Sequence, residues 1–392
     1  MDRSETADRP SNPPPRRRDD GAARSTTSTT ARLRVLPVAE ATRDAGVRAV
    51  WDRRFAACDH PNAFHASRAW AEYLAARGGA VHVAILRQGG AVTGVVPLMC
   101  HAHGLDYEVG TQRVLRSRLR VADVLGSVPL VPSGAITPAA LVQGVLDGLP
   151  DCDAVFLESL PVESAYAGLE YASDVLAYRP LVARADRLVK LEGTFAEYSR
   201  GRSAKLRFNV ERSLRTLRGV GSVGLCRYDT PADVDRLFTD ASHVRRRSWQ
   251  RDALGTLNDD PVQSSHEALS ELARRDLLRS YVLYAGEVPC AFVIGYQHQG
   301  VYFYGVVGYD AAFSRHSPGS ALLHLMMEDL YATNRPRTVS FGRGDDDYKR
   351  RFGTTHRYVG TWFFLRPTLL NRVRVRNHRL FSQAKGLLVW GT

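Results

Sequence analysis

The chain has 392 residues, 44% of them hydrophobic, and a formal net charge of +12. This length exceeds the usual size of one hydrophobic core, so two domains are expected, and the excess of positive charge indicates anionic partners. The sequence contains no apolar run long enough to cross a membrane, and its five cysteines include no C-x-x-C pair, which argues against a disulfide framework and against a zinc site.

The first 31 residues predict a disordered tail. They combine prolines, arginines and a Ser/Thr run with almost no apolar side chains, so folding could not offset the entropy of ordering them. A nucleic-acid-binding arm is the weaker interpretation, because Asp19 and Asp20 directly follow Arg16–Arg18. The polar N-terminus and the scattered cysteines together predict a soluble, cytoplasmic protein.

The segment after the tail predicts an α/β unit. Apolar residues at helical spacing indicate a first helix over Asp44–Cys58. β-Branched residues on both sides of a Gly89-Gly90 turn predict a hairpin from Val81 to Cys100. The other predicted elements of this unit are a helix at 67–76, strands at 106–111 and 122–131, a helix at 139–149 and a strand at 154–158.

The second half of the sequence repeats this order. A hairpin beginning at Ser280 has the same strand, Gly turn and strand as the first hairpin, and Val155–Glu158 stands where Val339–Phe341 stands later. Such an internal echo predicts a duplicated fold. The expected division is residues 32–192 and 193–367, followed by a C-terminal helix in residues 368–392.

A basic segment, Phe195–Arg218, joins the two halves. Its leucines give it an inner side as a helix, and seven arginines and lysines stand against two glutamates. Two interpretations stay open: a solvated helix face, or a positive wall for an anionic substrate at a domain interface, where ligand sites are common. Under the second interpretation Arg207 would bind substrate.

The stretch Val301–Gly353 holds most of the residues with catalytic potential. A predicted strand is followed by a helix for which Ser317 suits the N-cap and Pro318 the first position. Unpaired N–H groups at such a helix entry, with Arg315 just before it, could bind a phosphate. The ordinary alternative is a capped helix that binds nothing.

A polar loop follows the next predicted strand, Thr338–Phe341. Its two glycines would let the backbone approach a ligand, while Asp345, Tyr348 and Lys349 offer proton transfer and oxyanion stabilisation. The alternative is a solvated, charged turn. The adjacent aspartates lack the alternating spacing of a calcium loop, so no metal site is predicted.

A resemblance to a known family lies in three runs of this stretch: Phe313–Gly319, Phe341–Asp345 and Tyr348–Gly353. They resemble the GNAT-superfamily acyltransferases of the cellulose-biosynthesis CelD type, which are similar to the FemAB peptidoglycan aminoacyltransferases. A looser likeness covers residues 45–365. The resemblance implies tandem, duplicated GNAT-like domains of the α/β class with mixed α+β sheets. It also implies an acyl donor, usually acetyl-CoA, whose pyrophosphate sits at a helix N-terminus.

Acyl transfer from a thioester assigns roles to the residues of these runs. Asp345 would act as the base for the acceptor, Tyr348 as the acid that protonates the leaving thiolate, and Lys349 as a stabiliser of the oxyanion. The residues expected to bind the donor are Arg315, Ser317, Gly319 and Ser320, and those expected to bind the acceptor are Arg207, Gly342, Arg343 and Gly344.

The predicted function is acyl transfer from acyl-CoA to an amine or hydroxyl of an envelope- or polysaccharide-related acceptor, such as a glycan or a nucleotide-sugar. One alternative uses aminoacyl-tRNA as the donor, as FemAB enzymes do, with tRNA phosphates on the basic segment. Another is a non-catalytic accessory protein of exopolysaccharide synthesis.

The C-terminal tail is basic and amphipathic. Residues 369–390 contain arginines and apolar side chains and no acidic residue. A helix of this composition could lie on an anionic membrane surface, peripheral to the inner membrane face, or pack onto the preceding domain.

Overall fold

The computed structural model describes residues 31–60, 62–109, 112–171, 175–248 and 265–389. The predicted disordered tail lies outside the described residues, apart from Ala31. The first unit contains β1 (Arg32–Pro37), α1 (Val38–Ala41), α2 (Ala45–Ala56), α3 (Arg68–Ala76), β2 (Ala80–Gln88), β3 (Ala91–Val109), β4 (Gln112–Val124), α4 (Pro138–Gly148) and β5 (Ala154–Pro161).

Two strands and two helices connect the units: β6 (Leu176–Tyr178), β7 (Arg184–Lys190), α5 (Phe195–Arg200) and α6 (Ala204–Arg218). The second unit contains β8 (Val223–Tyr228), α7 (Val234–Arg246), α8 (His266–Arg274), β9 (Ser280–Ala285), β10 (Val288–His298), β11 (Val301–Tyr309), α9 (Pro318–Ala332), β12 (Thr338–Arg343), α10 (Asp347–Phe352) and β13 (Thr355–Leu365). The chain then ends in α11 (Leu369–Val389).

The described strands form one mixed sheet of order β1-β2-β3-β4-β5-β13-β7-β12-β11-β10-β9-β8, with β6 beside β13. This order is symmetric about its centre. In the first unit three antiparallel pairings are followed by the parallel pair β4/β5, whose strands are connected through α4. In the second unit three antiparallel pairings are followed by the parallel pair β11/β12, whose strands are connected through α9. The structure confirms the predicted mixed α/β fold built from a duplicated unit.

The two units exchange their central strands. β7 precedes the second unit in the chain and pairs with its β12, whereas β13, the last strand of the second unit, pairs with β5 of the first. β13 and β7 also pair with each other. Trp362 and Phe364 of β13 are therefore buried in the core of the first unit. Each unit depends on backbone pairing and side chains that the other supplies.

Helices cover both faces of the sheet. α4, α6 and α9 pack on one face, which is called the α9 face below. α2, α3, α7 and α8 pack on the opposite face. α11 also lies on this opposite face, where Val375 joins a cluster with Phe156 and Phe363. The packed alternative for the C-terminal tail is thus observed for the inner side of α11.

The long β3–β4 hairpin differs from the expectation. The sequence predicted separate strands at 106–111 and 122–131, but β4 pairs with β3 from Gln112 to Val124, with one register shift between Tyr107 and Glu108. Residues 113–116 are all exposed, so the first part of β4 lacks the alternation of buried and exposed residues that indicates a strand. Within the described residues, no helix has both the length and the hydropathy that crossing a bilayer requires.

Candidate functional site

A slit opens between β11 and β12. These strands pair only over Val301–Phe303 and Thr338–Ser340, after which β11 stays beside β10 and β12 continues beside β7. Because the strands diverge toward their carboxyl ends, the slit opens at the edge where α/β sheets commonly hold ligands. α9 begins beside the end of β11, so its N-terminus faces the same region.

Three aromatic rings line the slit on the α9 face. The ring centroid of Tyr304 lies 5.3 Å from that of Phe341 and 6.2 Å from that of Tyr348. Burial raises the pKa of Tyr348 well above its ordinary value. The phenol of Tyr348 is therefore protonated at neutral pH, as a group that donates a proton must be.

The α9 entry has the predicted residues at the predicted positions. The helix begins at Pro318, and Ser317 is the N-cap residue in a left-handed conformation with φ of 51°. Its side chain does not cap the helix; instead the N–H of Ser320 donates to the Ser317 carbonyl at 3.0 Å. Arg315 is exposed beside the entry and donates to His316. The α9 entry thus combines a helix N-terminus with a nearby cation, two features that attract an anion.

Packing does not require a glycine at position 319. Its φ is not in the left-handed region, and an added Cβ would lie 3.9 Å from the Tyr309 ring, an ordinary contact. By contrast, Gly342 and Gly344 have φ of 68° and 119°, which other residues adopt at a cost. Backbone conformation therefore explains the glycines at positions 342 and 344. It does not explain Gly319, beside which the helix entry has open space.

Lys349 holds the polar loop together. Lys349 is only 7% exposed, and its ammonium donates to the Arg343 carbonyl at 2.9 Å and lies 3.3 Å from the Asp346 carboxylate. It also lies 6.0 Å from the ring centroid of the neighbouring Tyr348. The Lys349 charge is therefore buried at the base of the loop and close to the slit.

Asp345 is exposed and held by two guanidinium groups. Its carboxylate accepts hydrogen bonds from Arg187 at 2.8 Å and from Arg350 at 3.3 Å. These hydrogen bonds lower the pKa of Asp345 below its usual range. The carboxylate is ionised at neutral pH, but its two partners reduce its affinity for a proton.

A polar cleft of about 490 Å³ lies between the two units on the face opposite α9. Of the residues predicted to bind substrate, Gly342 and Arg343 line it. The Arg343 guanidinium donates to Thr361 at 2.8 Å and to Glu158. Arg343 thus links the second unit to the carboxylate of the first across the cleft.

Three carboxylates line this cleft, none of which the sequence analysis identified: Asp123, Glu158 and Asp186. Asp186 is buried and accepts a hydrogen bond from Arg357 at 2.9 Å. Burial raises the pKa of Asp123, whose carboxylate lies 3.3 Å from His101 Nε2. The hydrogen bond to Asp123 in turn raises the pKa of His101. Asp123 and His101 form a coupled acid–base pair beside the cleft.

A weak sequence signal for these carboxylates exists. Asp123 interrupts the apolar end of β4, Val121–Val124, and Glu158 follows the apolar run Ala154–Leu157 of β5. By the registers of the two parallel pairs, they occupy the positions of Phe303 and Gly342 in the second unit. The internal repeat could have identified them, but only once its register was known.

Arg207 lies apart from the cleft. It donates to the carbonyl of Arg200 at 2.9 Å and also to that of Arg202. It lines a largely apolar pocket of about 380 Å³ between α5, α6 and α9. The structure therefore does not bring Arg207 together with Gly342 and Arg343, because the sheet separates them. Within the described residues, no group of three His, Cys, Asp or Glu side chains is arranged to hold a metal.

Residues 204–350 match the model of the acetyltransferase (GNAT) domain family. This match covers less than half of the chain; it begins in α6 and includes α9, the slit and most of the polar loop. No curated protein matches the chain in sequence.

Several solved structures have the same fold over most of the chain. A crystal structure of FemX aligns with 83% of this chain and 98% of its own, at 12% identity and a TM-score of 0.56. The C-terminal domain of a putative lysylphosphatidylglycerol synthetase from Agrobacterium fabrum aligns with 83% and 92%, at 12% identity and 0.51. A conserved protein of unknown function from Bacteroides thetaiotaomicron aligns with 86% and 100%, at 10% identity and 0.52. At such identities these similarities establish the fold.

Proposed function

We propose that this protein is an acyltransferase whose acyl-CoA donor enters at α9 and whose acceptor binds in the cleft between the units. One observation carries the proposal: β11 and β12 diverge beside the α9 entry, and the slit between them is lined from both faces of the sheet. Residues of the α9 face line one side of the slit, and the cleft residues Phe303 and Gly342 line the other. A thioester in the slit would meet an acceptor from the opposite face of the sheet.

The donor pyrophosphate would bind at the α9 entry. A helix N-terminus attracts anions through its unpaired N–H groups and its dipole. Arg315 would add a guanidinium, Ser317 and Ser320 hydroxyl groups, and Gly319 would let the phosphate approach the backbone. The GNAT family match over this segment supports acyl-CoA as the donor.

The reaction would be direct acyl transfer. The acceptor nitrogen or oxygen attacks the thioester carbonyl, an oxyanion forms, and its collapse breaks the carbon–sulfur bond and releases the coenzyme A thiolate. Tyr348 would donate its proton to that thiolate, and the Lys349 ammonium would stabilise the oxyanion. Burial keeps the Tyr348 phenol protonated at neutral pH, so it carries the proton that the thiolate takes up.

Two carboxylates are candidates for the base that takes the acceptor proton. Asp345 is the residue that the loop sequence indicates, but its ion pairs with Arg187 and Arg350 weaken it as a base. Asp123 lines the cleft, and its raised pKa makes it the stronger base of the two. Replacing each carboxylate by its amide would distinguish them, because a rise of activity with pH that comes from deprotonation of the base should disappear only when the base itself is replaced.

The acceptor proposed from the CelD-type resemblance is an amine or hydroxyl of an envelope- or polysaccharide-related molecule in the cytoplasm. Arg343 and Arg357 line the cleft but are paired with Glu158 and Asp186, so a phosphate or carboxylate of the acceptor would bind them only by displacing those carboxylates. Gly342 and Gly344 would bring the loop backbone within hydrogen-bonding distance of that acceptor.

The second candidate is transfer from aminoacyl-tRNA, as in the FemAB enzymes. The fold shared with FemX favours it, as do the exposed basic side chains on α6: Lys205, Arg212, Arg215 and Arg218. These would contact tRNA phosphates, and Arg207 lies on the same helix. A non-catalytic accessory role is the third reading, which measurable transfer would exclude.

Calorimetric titration with acetyl-CoA and, separately, with charged tRNA separates the donors. Acyl-CoA-dependent transfer predicts saturable acetyl-CoA binding that weakens when Arg315→Ala removes the cation, and tRNA binding no tighter than that of any polyanion. Tight binding of charged tRNA together with no heat from acetyl-CoA would favour the FemAB-like donor instead.

A further inference from the structure

The C-terminal helix α11 is anchored by one of its sides. Asn371, Val375 and His378 are buried against the sheet. His378 Nδ1 lies 2.5 Å from the Tyr178 hydroxyl, and Nε2 lies 3.1 Å from the Asp106 carbonyl. Contacts on both ring nitrogens fix the rotation of α11 about its own axis. The direction in which its other sides point is therefore set by the fold.

A second apolar stripe faces solvent on the opposite side of α11. Leu369, Val373 and Leu380 are four and seven residues apart, a spacing that aligns them along one side of a helix, and Leu370 adjoins them. Leu369 is 79% exposed and Leu380 53%. A helix that only packed onto its own domain would need one apolar side. This second stripe is available to something outside the described chain.

Exposed apolar side chains also lie at the tip of the β3–β4 hairpin, beside α11. Val109, Val114 and Leu115 are all more than half exposed there. Leu115 lies directly across the hairpin from Tyr107, and the Tyr107 ring stacks edge-on with Phe381 of α11 at 5.1 Å. The hairpin tip and α11 therefore adjoin. We call the α11 stripe and the hairpin tip together the apolar–arginine surface.

Positive charge lies along one side of the α11 stripe. Exposed Arg372, Arg376 and Arg379 flank the stripe on α11, and no acidic residue occurs between Leu369 and Val389. At the hairpin tip, Arg113 and Arg116 both lie within ion-pair distance of Asp106 and together outweigh its single negative charge. Apolar side chains beside arginines match the interface of an anionic bilayer, in which acyl chains lie beneath negative headgroups.

We propose that the apolar–arginine surface docks this protein onto an anionic lipid bilayer, with α11 lying in the plane of the interface. The charge disfavours a second copy as the occupant, because two such faces would bring arginine against arginine. The proposal does not depend on the acyl-transfer chemistry, since the surface lies on a different element from the slit and the polar loop.

Co-sedimentation of the full chain with lipid vesicles tests the proposal. We expect binding to vesicles of phosphatidylcholine mixed with phosphatidylglycerol, and binding at least about tenfold weaker to phosphatidylcholine alone or in high salt. Val373→Asp combined with Leu380→Asp should reduce binding by about tenfold or more, because two side chains can no longer enter the bilayer. Val114→Asp with Leu115→Asp should reduce it as well.

The matched control is Val220→Asp combined with Val288→Asp, which places two carboxylates at exposed apolar positions in the second unit. It should bind vesicles like the unaltered protein. Equal binding by the control and the α11 variant, or equal binding to neutral and anionic vesicles, would overturn the proposal. So would a dimer in analytical ultracentrifugation that the α11 variant dissociates, since the surface would then be an interface between copies.

Discussion

At the scale of single residues, Tyr348 and Tyr304 share the slit but differ in their expected chemistry. Tyr348→Phe keeps the ring that packs against Phe341 and removes the proposed proton donor. We expect kcat to fall by about a hundredfold with little change in KM or in unfolding temperature. Tyr304→Phe is the control and should keep most of the activity. Equal losses in the two variants would assign the effect to packing in the slit.

Two buried tyrosines beneath α9 offer a test of hydrogen bonding. The Tyr281 hydroxyl donates to Asp329 and accepts from Arg279, both at 2.7 Å. The Tyr302 hydroxyl is buried and has no partner among the described residues. We expect Tyr281→Phe to lower the free energy of unfolding by about 1–3 kcal/mol and Tyr302→Phe to leave it unchanged or raise it by about 1 kcal/mol. Urea unfolding at fixed pH measures both; a comparable loss at Tyr302 would indicate a buried partner such as water.

His60 predicts a pH dependence of stability. Burial and the nearby Arg357 guanidinium lower the pKa of His60 to about 4, and its Nδ1 accepts the Asn62 N–H at 3.2 Å, which requires the unprotonated ring. The ordinary pKa of 6.5 applies in the unfolded chain. Between these values the unfolded state binds a proton that the folded state does not. Stability should therefore be highest above pH 6.5 and fall toward pH 4.

The His60 contribution amounts to at most about 3 kcal/mol, and less because the ring is partly exposed. Other histidines with lowered pKa, such as His103 and His298, act in the same direction. The difference in free energy of unfolding between the unaltered protein and His60→Gln, measured at each pH, isolates the contribution of His60. Denaturant unfolding from pH 7.5 to pH 4.5 should give a shallower pH slope for the variant, and parallel slopes would refute the assignment.

At the scale of elements, the α9 entry allows donor binding and helix stability to be separated. Gly319→Asp places a carboxylate in the first turn, where the helix dipole favours it, so the unfolding temperature should hold or rise slightly. The same carboxylate would repel a pyrophosphate, so acetyl-CoA binding should weaken by about tenfold or more. Gly319→Ala is the uncharged control. An aspartate variant that binds acetyl-CoA normally would place the donor phosphates elsewhere.

The elements that the sequence predicted best are those whose ends carry local signals. Ser317 and Pro318 mark the start of α9, and Gly89-Gly90 marks the turn between β2 and β3, so both were located closely. β4 was misread because residues 113–116 are all exposed and show no alternation, although Arg118 and Arg120 alternate with the buried Leu119 and Val121 further along the strand. The alternation of apolar and polar residues thus predicts a strand only over the part that packs against the core.

At the scale of the whole molecule, the exchange of β7 and β13 should make the two units interdependent. Residues 32–192 alone would lose β13 beside β5, and residues 193–392 alone would lose β7 beside β12. A central strand without its neighbour has backbone groups with no hydrogen-bond partner. The side chains that pack around Trp362 and Val189, both buried in the full chain, would also become exposed to solvent. We expect neither fragment to unfold cooperatively, and mixing them to restore one transition in circular dichroism. Two independent transitions in the separate fragments would contradict this.

The internal repeat predicted the duplication but not the exchange, because pairing between distant strands leaves no mark on either sequence. For the same reason the polar loop was found and the cleft was not. Asp123, Glu158 and Asp186 come from three strands in different parts of the chain, and only the sheet order brings them to Arg343. Residues of a site that share one loop can be read from sequence, whereas those that meet across a sheet need its register.

A crystal structure with a non-hydrolysable thioether analogue of acetyl-CoA tests the central claim most directly. The account predicts the pyrophosphate against the backbone of Gly319 and Ser320, the thioether sulfur beside the Tyr348 hydroxyl, and the acyl carbon directed toward the cleft between the units. An analogue bound with its pyrophosphate away from the start of α9, or with its sulfur on the far side of the sheet from Tyr348, would contradict it.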